Sequence, residues 1–491
     1  MNASRPAAVV ILAAGEGTRM KSAIPKVLHP IGGRALVGHA IRAARVTQAQ
    51  HVAVVVRHER EQVVAFCSQF DADLVIADQD DVKGTGRAVE CGLDALPADL
   101  TGTVLVTYGD VPLLTGETLQ ALTAAHLASG SVATVVTAHL PNPHGYGRVL
   151  RDDTGAVLRI VEQKDATPEQ QQVTEINSGI YAFDAATLRE ALTKVGTNNA
   201  QGEKYLTDVV QIARDAGHPV QAHVIDDLWQ TEGVNDRVQL ATLGRELNRR
   251  LGEQHMRNGV TIVDPATTWI DADVTIGRDT TILPGTQLLG ATTIGEATVI
   301  GPEVTLTDTE VGDRAQVSRA VTNLAVIGPD ATVGPYSYLR PGTRLGAHGK
   351  IGGFVETKNA DIGEGAKVPH LTYAGDVTIG PGANIGAGTI FANYDGVTKH
   401  HTTIGRDSFV GSQTVVISPV EVADGAYVAA GTVLTQDVEP GQIAVARARQ
   451  RNIDGWVERS RPGTKTATAA REARARHTEQ DATAPEGEQW Q

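Results

Sequence analysis

Two rhythms of apolar and polar positions divide the chain. From residue 7 to about 233, short apolar runs alternate with stretches whose apolar residues recur at i, i+3 and i+4. The runs AVVILAAG, HVAVVV, ADLVIAD, GTVLVTYGD, SVATVVTAHL and GIYAF are rich in β-branched residues and predict strands. RALVGHAIRAARVTQ and TGETLQALTAAHLASG predict helices between them. Such alternation predicts a parallel or mostly parallel sheet with helices on both faces. Ligands in these sheets bind beyond the carboxyl ends of the strands, where LAAGEGTRM and VTYGD both fall.

Residues 236–258 predict one long amphipathic helix that starts near Asp236 and links this half to the next. Beyond about residue 260 the period becomes six: Ile276, Ile282, Leu288, Ile294, Ile300 and Leu306 keep the beat. It resumes at Ile327, Val333, Leu339, Leu345 and Ile351, and again from Ile404 through Val410, Val416, Val422 and Val428 to Leu434. A six-residue step is one side of a triangular coil, with an aliphatic side chain inward and a small residue at the corner. Stacked coils bury a continuous column, so this half predicts a parallel β-helix. The beat lapses in GGFVETKNADIG, VPHLTYAGDVTIG and FANYDGVTKHHTTIG, where polar residues cluster that a smooth coil does not need. After Arg461 the chain is mostly Ala, Thr, Pro and charge, which predicts a disordered tail over 461–491.

At 491 residues the chain exceeds what one core supports, in agreement with two domains. An aromatic share of 4% beside 52 glycines suits tightly wound β structure. A net charge of −14 argues against nucleic acid as a partner. Two cysteines, Cys67 and Cys91, form no disulfide framework and no zinc spacing, and no run approaches a membrane span. The expectation is a soluble, cytoplasmic protein that binds neither nucleic acid nor membrane.

The candidate chemistry begins with ILAAGEGTRMKSAIPKVLHP. Small residues after the first strand let backbone N–H groups approach a ligand, and Arg19 and Lys26 add charge to neutralise polyphosphate. VTYGD ends a strand on Asp110, a common placement for a carboxylate that holds a divalent metal against substrate phosphates. Gln79 with the Gly84–Thr85 pair offers an edge for a base, and Gly147, Glu162 and Asn177 suit sugar hydroxyls and an amide. Asn235 in EGVNDR offers a second oxygen ligand. In the second half, His370 lies in a break of the coil beside Tyr373, while His400 and His401 share another break. Any of these fits proton transfer near neutrality.

LAAGEGTRM with PKVLH, YGD, GYGR, VEQ.DA, EGVN and a hexapeptide β-helix, in that order, resembles the bifunctional bacterial N-acetylglucosamine-1-phosphate uridyltransferase/glucosamine-1-phosphate acetyltransferase family. The resemblance reaches to about residue 460. It implies an α/β Rossmann-like nucleotidyltransferase domain (1–233), a linker helix (234–258) and a left-handed β-helix acetyltransferase domain (259–460). The implied activities are acetyl transfer from acetyl-CoA to glucosamine 1-phosphate, then uridylyl transfer from UTP to N-acetylglucosamine 1-phosphate with release of pyrophosphate. The product would be UDP-N-acetylglucosamine, a precursor of peptidoglycan and cell wall. UTP and the product would lie on Leu12, Ala13, Ala14, Gly15, Lys26, Gln79, Gly84, Thr85, Tyr108, Gly109, Asp110, Gly147, Glu162, Asn177 and Asn235, with Mg²⁺ on Asp110 and Asn235. Arg19 and Lys26 would stabilise charge developing on the phosphates. The same resemblance selects His370 as general base, with Arg340, Lys358, Tyr373 and Asn384 on the sugar phosphate. Ala387, Asn393, Tyr394, Ser412, Ala430 and Arg447 would contact acetyl-CoA, Arg449 being the neighbouring alternative to Arg447. It further implies a homotrimer with this site between neighbouring β-helices. Lys83 and Arg87 depart from the family pattern, where Leu and His are expected, and imply altered nucleotide affinity.

Overall fold

A computed structural model describes residues 5–483. The N-terminal half is a sheet of β1 (Ala8–Leu12), β2 (His51–Val56), β3 (Val75–Asp78), β4 (Thr103–Tyr108), β5 (Ala133–His139), β6 (Gly147–Arg151), β7 (Val157–Val161), β8 (Glu175–Asp184) and β9 (Val220–Val224). The order is β9-β5-β8-β4-β1-β2-β3, with β6 on β8 and β7 on β6. β1 to β4 run parallel where they pair, but β8 is antiparallel to β4, β5 and β6. Six of the seven strands in that order therefore run parallel and β8 alone is reversed, so the sheet is mostly parallel with one antiparallel strand. The β6–β7 hairpin re-enters the sheet with no α-helical crossover to return the chain to the other end, so β8 enters reversed.

Helices α1 (Leu36–Val46), α2 (Arg60–Phe70), α3 (Thr85–Asp94), α4 (Gly116–Ser129), α5 (Ala185–Lys194) and α6 (Asp208–Asp215) cover the sheet. α1, α2 and α4 pack on one face, α3, α5 and α6 on the other. The strand period is visible in β1. Val9 and Ile11 join the first core, while Val10 and Leu12 join the second.

Asp236 caps α7 (Arg237–Arg257) by accepting the N–H groups of Val238 and Gln239, both at 2.9 Å. Leu243 packs with Met20, Ile31 and Leu113 of the first half. On the other side Asn248 bonds both Thr268 O (2.8 Å) and Ile270 N (2.9 Å), and Arg34 pairs with Asp273 at 2.7 Å. The helix thus joins the two halves through side chains that sequence periodicity does not reveal.

From Thr261 to Ala444 the chain winds as a left-handed parallel β-helix, with ladders of 11 and 17 strands. One column of inward side chains runs Ile282, Ile300, Val317, Val333, Ile351 and Val368 in unbroken register, all buried. In the sequence the six-residue beat breaks off after Leu306 and resumes at Ile327. In fact Val311, Val317 and Thr322 fill the inward positions there, and some sides are simply one residue shorter. The later lapse is a true irregularity. Glu356–Ile362 and Tyr373–Ile379 are long strands that run through a corner, and residues 394–400 project as a loop.

The tail departs from expectation. α8 (Trp456–Ser460) is followed by α9 (Lys465–Thr483), so 461–491 is not a disordered segment over its described part; residues 484–491 lie outside the described residues. The same Ala, Arg and Glu content that cannot build a core has high helix propensity. Arg474 facing Glu458 at 3.5 Å and a buried Ala467 tie α9 to α8. Among the described residues no helix is long and apolar enough to cross a membrane.

Candidate active sites

The register of the first sheet builds the first site. Leu12 lies beside Val55 on β2 and Tyr108 on β4, so three strand ends meet, and Gly109 N–H donates to Leu12 O at 2.9 Å. Above them opens a cavity of about 450 Å³. Its walls hold Leu12, Ala13, Ala14, Gly15, Lys26, Gln79, Gly84, Thr85, Tyr108 and Asp110, with Lys83 as well, together with Glu16, Arg57 and Glu203, which the sequence did not place there. A second cavity of about 200 Å³ adjoins it through Thr85, Tyr108 and Glu203, and brings in Glu162 and Asn177. Gly147 lies where a Cβ would stand 3.5 Å from both Glu162 Oε1 and Asn177 Cβ. The two cavities together have the shape of an extended ligand, a charged end by Lys26 and a polar end by Glu162.

The walls are held by backbone. Gly84 has φ 117° and ψ 156°, and the segment after it is clamped to 203–206: Gly86 N–H donates to Lys204 O (2.8 Å) and Lys204 N–H to Lys83 O (2.9 Å). Leu206 N–H donates to Thr85 Oγ1 at 3.1 Å. Arg87 is turned away from the cavity into Asp80 and Glu90, both at 2.7 Å, so only Lys83 of the two departures from the family pattern faces it. The other end is stiffened by Arg148, 2% exposed, which bonds Gln163 Oε1 at 2.7 Å and the carbonyl of Tyr146.

Lys26 Nζ sits on Asp110 Oδ2, and Arg19 donates to Asn235 Oδ1 at 2.9 Å. Val234 N–H donates to Asp110 O at 2.9 Å, which brings Asn235 to the Asp110 turn. Among the described residues no group of three or more His, Cys, Asp or Glu is arranged to hold a metal. One carboxylate and one amide oxygen remain, a donor set that fits Mg²⁺, which keeps several waters and takes further oxygens from substrate phosphates. Burial raises the Glu162 carboxyl above its usual range, partly opposed by a hydrogen bond from Thr207. Burial also pushes the Tyr108 phenol up, with Glu162 and Asp110 adding to the shift.

The second site lies on corners of the β-helix. Gly388 N–H donates to His370 O (3.1 Å), Gln413 N–H to Ala387 O (2.8 Å), and Gly431 N–H to Ser412 O (2.8 Å). These bonds stack His370, Ala387, Ser412 and Ala430 on successive coils. At about 4.8 Å per coil the strip is roughly 14 Å long, with small side chains above an exposed imidazole. Beside it, Arg340 pairs with Glu356 at 2.9 Å. Glu356 therefore faces an arginine. Lys358 lies 3.7 Å from Asp376, and Tyr373 stands next to Asn393 across Gly375, whose Cβ would meet both. Asn384 is half-buried one coil below Phe409.

Sequence reading missed Lys399. Its ammonium pKa is lowered by Lys358 beside it, with Arg340 adding a further positive charge. Lys358 and Arg340 thus both stand near Lys399, and nothing in the local sequence marks Lys399, because the 394–400 loop alone carries it there. In that loop Asp395 accepts the N–H groups of Val397 (2.8 Å) and Thr398 (2.7 Å) and pairs with His400 at 2.7 Å. These contacts hold its carboxyl well below the usual range and absorb His400 into loop structure. His401 bonds Thr378 at 3.0 Å. Tyr394 and Arg447 are exposed, and the Tyr394 hydroxyl donates to Gly396 O at 2.6 Å within its own loop.

The chain matches the model of the MobA-like NTP transferase domain over residues 9–173 and that of the bacterial transferase hexapeptide (six repeats) over 401–436. Three full-length bacterial relatives are each named bifunctional protein GlmU. The one from Kineococcus radiotolerans is 58% identical over 95% of both chains. That from Mycolicibacterium vanbaalenii is 58% identical over 94% of this chain and 95% of its own. That from Paenarthrobacter aurescens is 56% identical over 99% and 98%.

Proposed function

The chain belongs to the family of bifunctional GlmU proteins, and from that premise we propose that its two sites make UDP-N-acetylglucosamine in sequence, by acetyl transfer in the β-helix and uridylyl transfer in the N-terminal domain. The observation that carries this reading is the separation of the sites: one chain holds two clusters of cations, each beside its own distinct chemistry.

In the β-helix the substrate amine attacks the thioester carbonyl of acetyl-CoA. A C–N bond forms, the C–S bond breaks with its electron pair on sulfur, and the expelled thiolate takes up the proton lost by the amine. His370 is the base that removes a proton from the amine. The small residues Ala387, Ser412 and Ala430 leave room for the extended acyl carrier along the strip, with Asn393, Tyr394 and Arg447 beside it. Arg340 and Lys358 hold the sugar phosphate, and Tyr373 and Asn384 hold the ring. A homotrimer completes this site, because it lies open on the β-helix surface.

In the N-terminal domain a phosphate oxygen of N-acetylglucosamine 1-phosphate attacks the α-phosphorus of UTP in line, and pyrophosphate leaves. Two anions must meet, so Lys26 and Arg19 contribute by screening repulsion and stabilising charge as it develops. Both must leave Asp110 and Asn235 to reach phosphate. Bound Mg²⁺, held by Asp110 and Asn235, supplies further neutralisation of the triphosphate. Gln79, Gly84 and Thr85 face the base, and Gly147, Glu162 and Asn177 face the sugar. The cytoplasm, where these co-substrates occur, is the compartment this reading requires.

The test is one reaction of the pure protein with glucosamine 1-phosphate, acetyl-CoA, UTP and Mg²⁺, following CoA and pyrophosphate separately. Supplied with N-acetylglucosamine 1-phosphate, His370→Ala should release pyrophosphate normally yet release no CoA from the amine substrate. Asp110→Ala should do the reverse. Joint loss in either variant refutes two separate sites.

A further inference from the structure

Asn359, Asp376 and Asn393 are spaced 17 residues apart, so successive coils stack them at one corner. Asn359 (φ 43°) and Asp376 (φ 49°) are left-handed, and they stand where β pairing skips from Lys358–Gly375 to Ala360–Val377. A ladder of amides and carboxylate at such a corner has an obvious structural use. Asn359 Nδ2 donates to Asp376 Oδ1 at 2.8 Å, and Asn393 Nδ2 donates to Asp376 Oδ2.

Two features exceed that use. Asp376 carries a charge where the ladder needs only an acceptor. Burial alone would raise its carboxyl, yet the two amides and the charges of Lys358 and Lys399 hold it below the usual range. It also touches both halves of the second site at once. Its Oδ1 lies 3.7 Å from Lys358 Nζ, and its Oδ2 takes the side-chain amide of Asn393. Lys358 has Lys399 beside it, and without an anion near Lys358 the two ammonium groups would repel each other out of place.

We propose that Asp376 is a positioning residue for acetyl transfer: its carboxylate holds the Lys358 ammonium and the Asn393 amide in one frame, so that sugar phosphate and acyl carrier are presented to His370 in register. This rests on the reading that Lys358 binds the sugar phosphate. It requires a charge at 376, whereas a corner role requires only a small hydrogen-bonding residue.

Asp376→Asn separates the two, since asparagine tolerates the left-handed conformation, accepts the Asn393 amide through Oδ1 and donates through Nδ2 to Asn359 once that amide turns over. The full-length protein is assayed for CoA release against varied glucosamine 1-phosphate, with the melting temperature and pyrophosphate release as controls. The expected result is a KM for glucosamine 1-phosphate raised about tenfold, the scale of one charge-assisted contact, with pyrophosphate release unchanged. Combining it with Lys358→Met should add nothing to Lys358→Met alone. An unchanged KM in Asp376→Asn, or full additivity in the double variant, overturns the proposal. If Asp376→Asn lowers the melting temperature by several degrees, Asp376→Glu decides: a recovered KM supports the positioning role, and an unrecovered one overturns it. Lys358→Met with unchanged KM would instead refute the underlying assignment of the sugar-phosphate site.

Discussion

Replacing Gly84 with alanine probes how far the first site depends on backbone packing. Gly84 sits at φ 117° and ψ 156°, a region essentially closed to side chains, at a cost of about 1–3 kcal/mol. A Cβ there would stand 2.3 Å from Lys204 O and 2.5 Å from Lys204 N. These are backbone atoms that cannot swivel aside, so segment 203–206 must retreat by roughly 1 Å to restore ordinary contact. That retreat weakens the Gly86–Lys204 and Lys204–Lys83 hydrogen bonds, worth about 1 kcal/mol each. The total is about 3–5 kcal/mol of local cost, borne where Thr85 and Glu203 line both cavities. If about 3 kcal/mol of it falls on the bound transition state, kcat/KM for uridylyl transfer drops at least about 100-fold. The assay is pyrophosphate release with UTP and N-acetylglucosamine 1-phosphate, beside CoA release from the untouched second site. A Gly84→Ala protein whose kcat/KM stays within about threefold of the parent would refute the reasoning, because it would show that 203–206 yields without cost.

Glu162 offers a trade of stability for function. Burial raises its carboxyl, so its ionisation opposes folding increasingly as pH rises through the raised value. Glu162→Gln should raise the melting temperature at pH 8 relative to the parent, with the difference vanishing in acid below the ordinary glutamate range, while uridylyl transfer falls. Thermal melts across pH with parallel pyrophosphate assays check both halves. In the β-helix, Ile300 lies fully buried between Ile282 and Val317, and Ile300→Ala should cost about 2–5 kcal/mol by the cavity it leaves, read as a loss in denaturant midpoint. Chelation of divalent metal should stop pyrophosphate release and leave CoA release intact, since the candidate metal oxygens lie on Asp110 and Asn235 of the first site.

The two kinds of local signal differ in reach. The six-residue beat needs nothing but the chain itself: each coil repeats the geometry of the one before, so Ile282, Ile300 and Val333 could be assigned inward positions from their spacing alone. LAAGEGTRM and VTYGD were equally legible, because a parallel strand must end where its ligand loop begins. The antiparallel entry of β8 was not, since strand direction is set by what connects two strands and not by their own composition. Nor was the order of the tail. Its composition excluded a core but left helix open, and the contact of Glu458 with Arg474 lies outside any single segment.

The sequence by itself determined that this chain has two domains, a glycine-rich loop at the end of its first strand, and an aliphatic column that winds the second half. These follow from periodicity and from residue type, which act over a few neighbours. Only the tertiary structure decided that Lys26 rests on Asp110 and Arg19 on Asn235, that Arg87 turns away from the cavity while Lys83 faces it, and that Lys358 and Asn393 share Asp376. Those partners are 84 and 216 residues apart in the first site, and a full coil or more apart in the second. Charge pairing over such separations depends on how strands register and where corners stack, and no local pattern carries that information.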